Sequence, residues 1–510
     1  MSHLTAAQYL KKILLAPVYE AAVVTKLQPL NKLSLRLNNH ILLKREDLQP
    51  VHSFKLRGAY NKLSTLSEQQ KQSGVIAASA GNHAQGLALS AKLMGLKATI
   101  VMPKTTPEIK VSSVRNLGAT TVLFGDSFDA ANAHCHELAK IHDYTIIPPF
   151  DDPDIIAGQA TVAKELLQQN AHLDKIFVPV GGGGLAAGIA VYIKQLLPHI
   201  KVIAVEPEDA ACLQAALAHG SPTTLSKVGL FADGVAVKTI GKETFRLCQQ
   251  YIDEVITVNS DEICSAIKDI FEDTRAISET AGALSLAGLK KYSQQHQLKG
   301  EQLAAILSGA NVNFHGLRYI SERSELGEQK ESILAVTIPE KQGSFLAFCN
   351  ELDGRAITEF NYRFNSRKAA NIFVGIRTPQ GAEELTLLVN KLSETGYEVA
   401  DLSHDEIAKS HVRYMVGGAP ITQIQERLYS FEFPEQPNAL VKFLNTLGTH
   451  ANITLFHYRN HGAAYGQVLA GFEVNDVDAF TEHLNELGYN YKDETNNQSY
   501  RFFLSQPEHS

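Results

Sequence analysis

Four short segments of the chain carry residues whose types and spacing suit chemistry. In Ser53-Phe54-Lys55-Leu56-Arg57-Gly58, Lys55 stands between two apolar residues at the expected start of a helix. An amine in an apolar niche loses proton affinity and becomes a nucleophile or base. Arg57, two positions on, would add positive charge there. A lysine beside Phe54 also suits a snorkelling surface residue, so this segment does not decide alone. In Ser79-Ala80-Gly81-Asn82-His83-Ala84-Gln85-Gly86, a small-residue turn lies between an apolar run and a helical pattern. That geometry offers backbone N–H groups to an anion. Ser79 and Asn82 read equally as helix caps, and His83 as a hydrogen-bonded structural histidine. A third segment has four consecutive glycines, Gly181, Gly182, Gly183 and Gly184, followed by Leu185 and an Ala-rich helical pattern. Such a loop is costly in chain entropy and is best explained by close backbone approach to a phosphate. No Lys-Ser/Thr follows, so it is not a nucleotide P-loop, and no acidic residue stands where a dinucleotide fingerprint needs one. The fourth segment sets Ser308 after an apolar run, where its hydroxyl could face a ligand or simply close a turn.

Together the four supply a reactive lysine, an anion-binding turn, a phosphate loop and a polar group for a ring atom. Pyridoxal 5′-phosphate uses all four. The elements that must position them are legible as apolar runs at 40–47, 74–79, 97–103, 120–125, 175–184, 201–207 and 303–311. Between them lie helical patterns such as Ala84, Leu87, Ala88, Ala91 and Met94, closed by Gly95. This rhythm predicts β-α-β units and mostly parallel sheets, arranged as two α/β lobes with a cleft, over residues 1–321.

A polar stretch, 322–331, is expected to be a linker or a helix end leading into one. Beyond it the sequence repeats itself. Pro339-Glu340 falls on Pro434-Glu435 at an offset of 95 residues, and Phe360, Tyr362 and Arg363 fall on Phe456, Tyr458 and Arg459 at 96. Each copy, 332–404 and 427–506, reads strand, helix, strand, strand, helix, short strand, a ferredoxin-like α+β layout. The length of 510 residues needs this partition, since one core rarely exceeds ~250–300 residues. With 47 Lys and Arg against 54 Asp and Glu, the net charge of −7 gives no argument for nucleic-acid binding. Five scattered cysteines without a CxxC pair argue against disulfides or zinc and for a reducing compartment. No metal site is expected. No secretory leader and no apolar run of membrane-spanning length is read, so a soluble cytoplasmic protein is expected.

The lysine motif, SAGNHAQG and GGGGL resemble the signatures of fold-type-II pyridoxal-phosphate enzymes, in the branch of serine and threonine dehydratases. The stretches at 149–166 and 273–284 look typical of that branch, and the duplicated tail resembles the ACT-like regulatory domains of its long members. The resemblance implies that Lys55 binds the cofactor covalently and then takes the Cα proton, Asn82 faces the ring hydroxyl, Gly181–Gly184 and Leu185 hold the phosphate, and Ser308 faces the ring nitrogen. It places Ser79, Gly81 and His83 where the substrate carboxylate is received. It implies L-threonine, and L-serine beside it, as substrate, 2-oxobutanoate and ammonia as products, and a homotetramer. It further implies feedback by isoleucine, with valine as a second candidate effector, at the loops 340–344 and 435–439, with Phe345 and Leu440 beside them. Shorter serine dehydratases and racemases, or an inactive amino-acid sensor, are the alternatives.

Overall fold

Short strands with buried side chains alternate with helices through the first three-fifths of the chain. The computed structural model describes residues 3–312, 316–327, 330–364, 368–405, 408–409, 412–415, 417, 424–434, 439–447, 451–459, 465–497, 500 and 504. Two units result, Met1–Gly327 and Glu328–Ser510.

Among its described residues the first unit contains ten strands: β1 (Leu27–Pro29), β2 (His40–Arg45), β3 (Val75–Ala78), β4 (Ala98–Met102), β5 (Thr120–Leu123), β6 (Thr145–Ile146), β7 (Lys175–Pro179), β8 (Lys201–Pro207), β9 (Glu254–Val258) and β10 (Gln302–Leu307). They form two sheets, ordered β5-β4-β3-β6 and β1-β2-β10-β7-β8-β9. All pairings are parallel except β1 with β2 at an edge. β3 and β7 are buried along their whole length, as strands covered by helices on both faces must be. The two sheets match the two expected lobes, and each expected apolar run contains a strand. β1, β6 and β9 escape a reading of hydrophobic runs because they are short or only half-buried. In a parallel sheet all carboxyl ends share one edge. β3 therefore delivers the Ser79 turn to one such edge, and β7 and β10 deliver Gly181 and Ser308 to the other sheet's edge.

The helix Gly316–Gly327 runs through much of the stretch expected to be a linker, and β11 starts at Glu331. The second unit then follows the expected order twice. The first pass is β11 (Glu331–Pro339), helix Ser344–Glu351, β12 (Ile357–Arg363), β13 (Ala369–Arg377), helix Ala382–Glu394 and β14 (Glu398–Asp401). The second is β15 (Glu426–Pro434), helix Ala439–Thr446, β16 (Asn452–Arg459), β17 (Tyr465–Glu473), helix Val477–Leu487 and β18 (Tyr491–Asp493). The two copies share one antiparallel sheet, β14-β11-β13-β12-β16-β17-β15-β18. β12 and β16 join them: Phe360 pairs with Tyr458, Asn361 with His457 and Tyr362 with Phe456. Equivalent residues of the repeat exchange partners, so the junction is a pseudo-twofold axis at Asn361 and His457. One aromatic core, including Phe345, Phe348, Phe360, Phe431, Phe443 and Phe456, runs through both copies.

Candidate active site

Lys55 opens the helix Lys55–Ser64, which two neighbours hold by close backbone approach. A Cβ on Gly158 would lie 2.6 Å from the Arg57 carbonyl, and one on Gly86 would lie 3.0 Å from the Leu56 nitrogen. The helices Pro153–Gln169 and Asn82–Leu93 thus pin the lysine from two sides. Lys55 Nζ donates to the Pro149 carbonyl at 3.0 Å and stands 5.5 Å from the Phe54 ring centre. Burial pushes its amine down to about 8, partly offset by the negative charge of Glu279.

Arg57 does not add charge beside Lys55, contrary to the expectation. It is fully buried on the opposite side of its helix, in a network that neutralises it. Its Nε and Nη2 donate to Glu46 at 2.8 Å, and its Nη1 donates to Glu165 at 2.6 Å. Lys44 donates to the same Glu165 at 2.6 Å, so two cations face two carboxylates. The arginine is an anchor for the lysine helix, and its removal would leave buried charge unpaired.

The residue after Pro149 connects the lysine to the glycine loop. A Cβ on Gly182 would overlap the Phe150 ring, and a Cβ on Gly181 would lie 2.9 Å from the Val235 Cα. Gly183 has φ +88°, the left-handed region that favours glycine, and leads into the helix Gly184–Leu196. Thr244 Oγ1 donates to the Gly182 carbonyl at 2.7 Å, and Cys212 Sγ to the Gly181 carbonyl at 3.2 Å. Asp151 accepts from the Lys242 and Glu243 N–H groups at 2.9 Å, fixing the 149–152 turn to the helix Lys242–Tyr251. The loop carbonyls are thereby occupied, while the N–H groups of Gly181 to Leu185 meet no acceptor among the described residues. That is the donor set of an anion cradle at a helix N-terminus.

The Ser79 turn closes the site from the other sheet. Gly81 precedes the helix Asn82–Leu93, whose first N–H groups are free among the described residues. His83 Nε2 donates to the Ile147 carbonyl at 3.0 Å, its Nδ1 has no partner, and burial holds it neutral, down to about 4. Its Nε2 is thus used structurally, which leaves the Nδ1 lone pair and the backbone N–H without a partner among the described residues. Asn82 Nδ2 donates to Glu279 at 2.6 Å and its Oδ1 accepts from Asn311 at 2.7 Å. Ser53 bridges Gly309, which ties the lysine segment to Ser308; the Ser308 hydroxyl donates to the Ala281 carbonyl at 3.3 Å. Gly234 touches Ala281 while its neighbour Val235 covers Gly181. All four segments read from the sequence therefore meet in one place. Phe150, Thr244, Val235, Glu279 and Asn311 complete it; Phe150, Glu279 and Asn311 lie in stretches the sequence singled out, and Thr244 and Val235 do not.

A cavity lies in the Glu328–Ser510 unit, at the loop between β11 and the helix Ser344–Glu351. Its lining includes Ile338, Glu340, Ser344, Phe345, Leu444 and Ile453. Phe345 stacks on Phe360 at 4.1 Å. Leu440 packs against the same core but does not line the cavity. The matching residues 435–438 lie outside the described residues.

A half-buried lysine of lowered proton affinity, a donor cradle and a neutral hydroxyl near the carboxyl ends of parallel strands define a class, the fold-type-II pyridoxal-phosphate enzymes. Comparison with known proteins agrees. Residues 18–309 match the family described as pyridoxal-phosphate dependent enzyme, and 322–412 and 417–504 match the C-terminal regulatory domain of threonine dehydratase. The chain belongs to this family, within its biosynthetic threonine dehydratase branch, and its cofactor is pyridoxal 5′-phosphate. It is 64% identical over 500 residues to the biosynthetic L-threonine dehydratase of Salmonella typhimurium, covering 98% of this chain and 97% of that one. The Pasteurella multocida counterpart is 62% identical over 506 residues, covering 99% and 98%. The solved structure of processed threonine deaminase isoform 2 from Solanum lycopersicum superposes with TM-score 0.62 at 47% identity, over 62% of this chain and 93% of that one.

Proposed function

We propose that the chain converts L-threonine to 2-oxobutanoate and ammonia, eliminating water across Cα and Cβ and taking it up again as the resulting imine hydrolyses, and that L-serine is a second substrate. The observation that carries the reading is the half-buried Lys55 amine of lowered proton affinity, set beside the N–H cradle of Gly181 to Leu185 in a chain matched over 98% of its length by a biosynthetic threonine dehydratase. Pyridoxal phosphate supplies an electron-withdrawing ring that acidifies the Cα proton of an attached amino acid. This chain's residues do the rest. Gly181, Gly182, Gly183, Gly184 and Leu185 offer N–H groups to the phosphate. Asn82 would offer its amide to the ring oxygen. Ser308 would meet the ring nitrogen with a neutral hydroxyl, where a carboxylate would hold a proton on it. The backbone around Ser79, Gly81 and His83 receives the substrate carboxylate. Lys55 would hold the cofactor covalently, and its amine, of lowered proton affinity, would be the base that takes the Cα proton of a bound substrate. Positioned proton transfer of this kind contributes ~10²–10⁴-fold to rate.

The duplicated unit serves as a sensor for isoleucine, the branched aliphatic product that threonine-derived 2-oxobutanoate leads to, with valine as a competitor. The cavity beside β11 has the parts for a free amino acid. Glu340, its carboxyl raised by burial and bonded to the Tyr362 hydroxyl at 2.8 Å, suits the ammonium group. The N-terminus of the helix Ser344–Glu351, with the buried and unpartnered Ser344 hydroxyl, suits the carboxylate. Phe345 and Leu444 suit the side chain, with Leu440 packed one turn of helix away. Five buried, unbridged cysteines suit a reducing cytoplasm, and exposed Leu14, Leu15, Val23 and Val24 suit burial between subunits of a homotetramer.

The test is keto-acid release with threonine and serine in parallel, with and without isoleucine and valine. Threonine turnover that isoleucine suppresses, and that K55A abolishes, is expected. No keto acid from either substrate would sink the reading. Racemisation of serine without keto acid would favour relatives such as the serine racemase of Dictyostelium discoideum, 33% identical over 60% of this chain.

A further inference from the structure

The turn before the helix Thr280–Gln295 holds a carboxylate that the mechanism above leaves unused. Glu279 is 6% exposed and accepts from Asn82 Nδ2 at 2.6 Å. The orientation of Asn82 is dictated by its other neighbour. Asn311 Nδ2 donates to the Val51 carbonyl at 2.9 Å, and that carbonyl can only accept. The same nitrogen donates to Asn82 Oδ1 at 2.7 Å, so the nitrogen of Asn82 is the end that meets Glu279. One Asn82 hydrogen is bound by Glu279, and the second remains for a ligand. The carboxylate has little room to move. A Cβ on Gly309 would overlap its Oε1, and a Cβ on Gly234 would come within 3.9 Å of it. Among the described residues, Glu279 is also the group whose charge opposes the loss of proton affinity at Lys55.

We propose that Glu279 is a positioning residue: it fixes the Asn82 amide with one N–H directed at the cofactor ring oxygen, and it sets a negative charge against Lys55. The inference rests on the pyridoxal-phosphate reading and names a residue which that reading does not assign. Burial raises the Glu279 carboxyl to about 7, Asn82 opposes that rise, and the charged groups that bear on it are Asp233, Lys110 and Lys55. A carboxylate so placed is held as the acceptor of Asn82 and is not a free surface acid.

The test is a double-mutant cycle on the holoenzyme, read by the borohydride-sensitive visible band and by cofactor affinity. N82A and E279A are each expected to displace the band in the same direction and to weaken cofactor binding about tenfold, and the double variant to be no worse than either alone, the signature of one shared interaction. E279Q keeps an oxygen that can accept from Asn82 but loses the charge. It should keep the band and lower the pH at which the lysine-linked form titrates. Losses that multiply in the double variant, or a wild-type band in E279A, would overturn the inference. Should E279A fail to fold, E279Q decides, and an unmoved titration midpoint overturns it. A wild-type protein without a borohydride-sensitive band would instead defeat the cofactor reading itself.

Discussion

Two helices of this molecule start in the same way and are built for different tasks. Gly183 precedes the helix Gly184–Leu196 with φ +88°, and Gly343 precedes the helix Ser344–Glu351 with φ +86°. Each glycine turns the chain so that helix N-terminal N–H groups are presented, the arrangement that favours an anion. Around Gly183 the protein is filled: Phe150 covers Gly182 and Gly184, Val235 covers Gly181, and Thr244 lies 3.0 Å from where a Gly183 Cβ would be. Around Gly343 a Cβ would meet nothing within 4 Å. The first is a rigid cradle cut to one shape, suited to a cofactor that stays. The second is open on one side, suited to a ligand that comes and goes.

Substitution at the filled cradle should break the comparison most visibly. In G182A the new methyl overlaps the Phe150 ring, which is held by Asp151 and by the turn that receives Lys55 Nζ. Overpacking of this kind costs ~1–3 kcal/mol, so cofactor affinity should fall up to ~100-fold. Equilibrium dialysis of the cofactor measures it, and unchanged affinity would mean that the loop is not the phosphate cradle.

The pH at which cofactor attaches sharpens the same side of the comparison. Only a neutral amine attacks an aldehyde, and Lys55 is held near 8 where an ordinary lysine sits at 10.5. Below pH 8 the attachment rate of the apoprotein should fall about tenfold per pH unit, and above it the rate should level. Stopped-flow absorbance checks the midpoint. A rate still climbing at pH 10 would place Lys55 among ordinary solvated lysines.

The two sides also differ in how far the sequence can be read. The order of strands, the two parallel sheets and the repeated α+β unit follow from apolar periodicity and repeat spacing, which are local. The stretches around Lys55, Asn82, Gly181–Gly184 and Ser308 stand out in the sequence as a set: each alone has an ordinary structural reading, and only their combination points to one cofactor. What is not legible is what those stretches touch. No spacing announces that Phe150 fills the gap over Gly182, or that Glu279 binds an asparagine 197 residues away. The charge of Arg57 misleads for that reason: its partners Glu46 and Glu165 lie on a different turn and a different helix, and only the fold brings them together. The merging of the two repeats into one sheet through β12 and β16 likewise depends on a strand edge, and edges carry no pattern of their own.

The open helix start at Gly343 should answer more gently. In G343A the methyl meets no neighbour, and the cost is the left-handed backbone alone, ~1–2 kcal/mol. The concentration of isoleucine that halves threonine turnover should rise about tenfold, with the cofactor band in place. If instead the band were lost, the open start would be as rigidly required as the filled one, and the distinction drawn between them would fail.

Ser344 gives the smallest effect and the finest discrimination. Its hydroxyl is buried and has no partner. A buried polar group left unpaired costs ~1–3 kcal/mol, so removing it should not destabilise the fold. A hydroxyl that serves only to bond a ligand behaves differently with the ligand present. In S344A thermal unfolding without effector should therefore be unchanged or slightly raised, while the stabilisation that added isoleucine provides should shrink by about 1 kcal/mol, one hydrogen bond. Phe345 next to it stacks on Phe360 and belongs to the core, so F345A would lose both together and could not tell a ligand contact from packing. A fold no less stable without effector, together with a smaller stabilisation by effector, is a pair that no purely structural role produces. Equal stabilisation by isoleucine in S344A and the unaltered chain would leave the hydroxyl without a ligand and move the carboxylate site elsewhere in the unit.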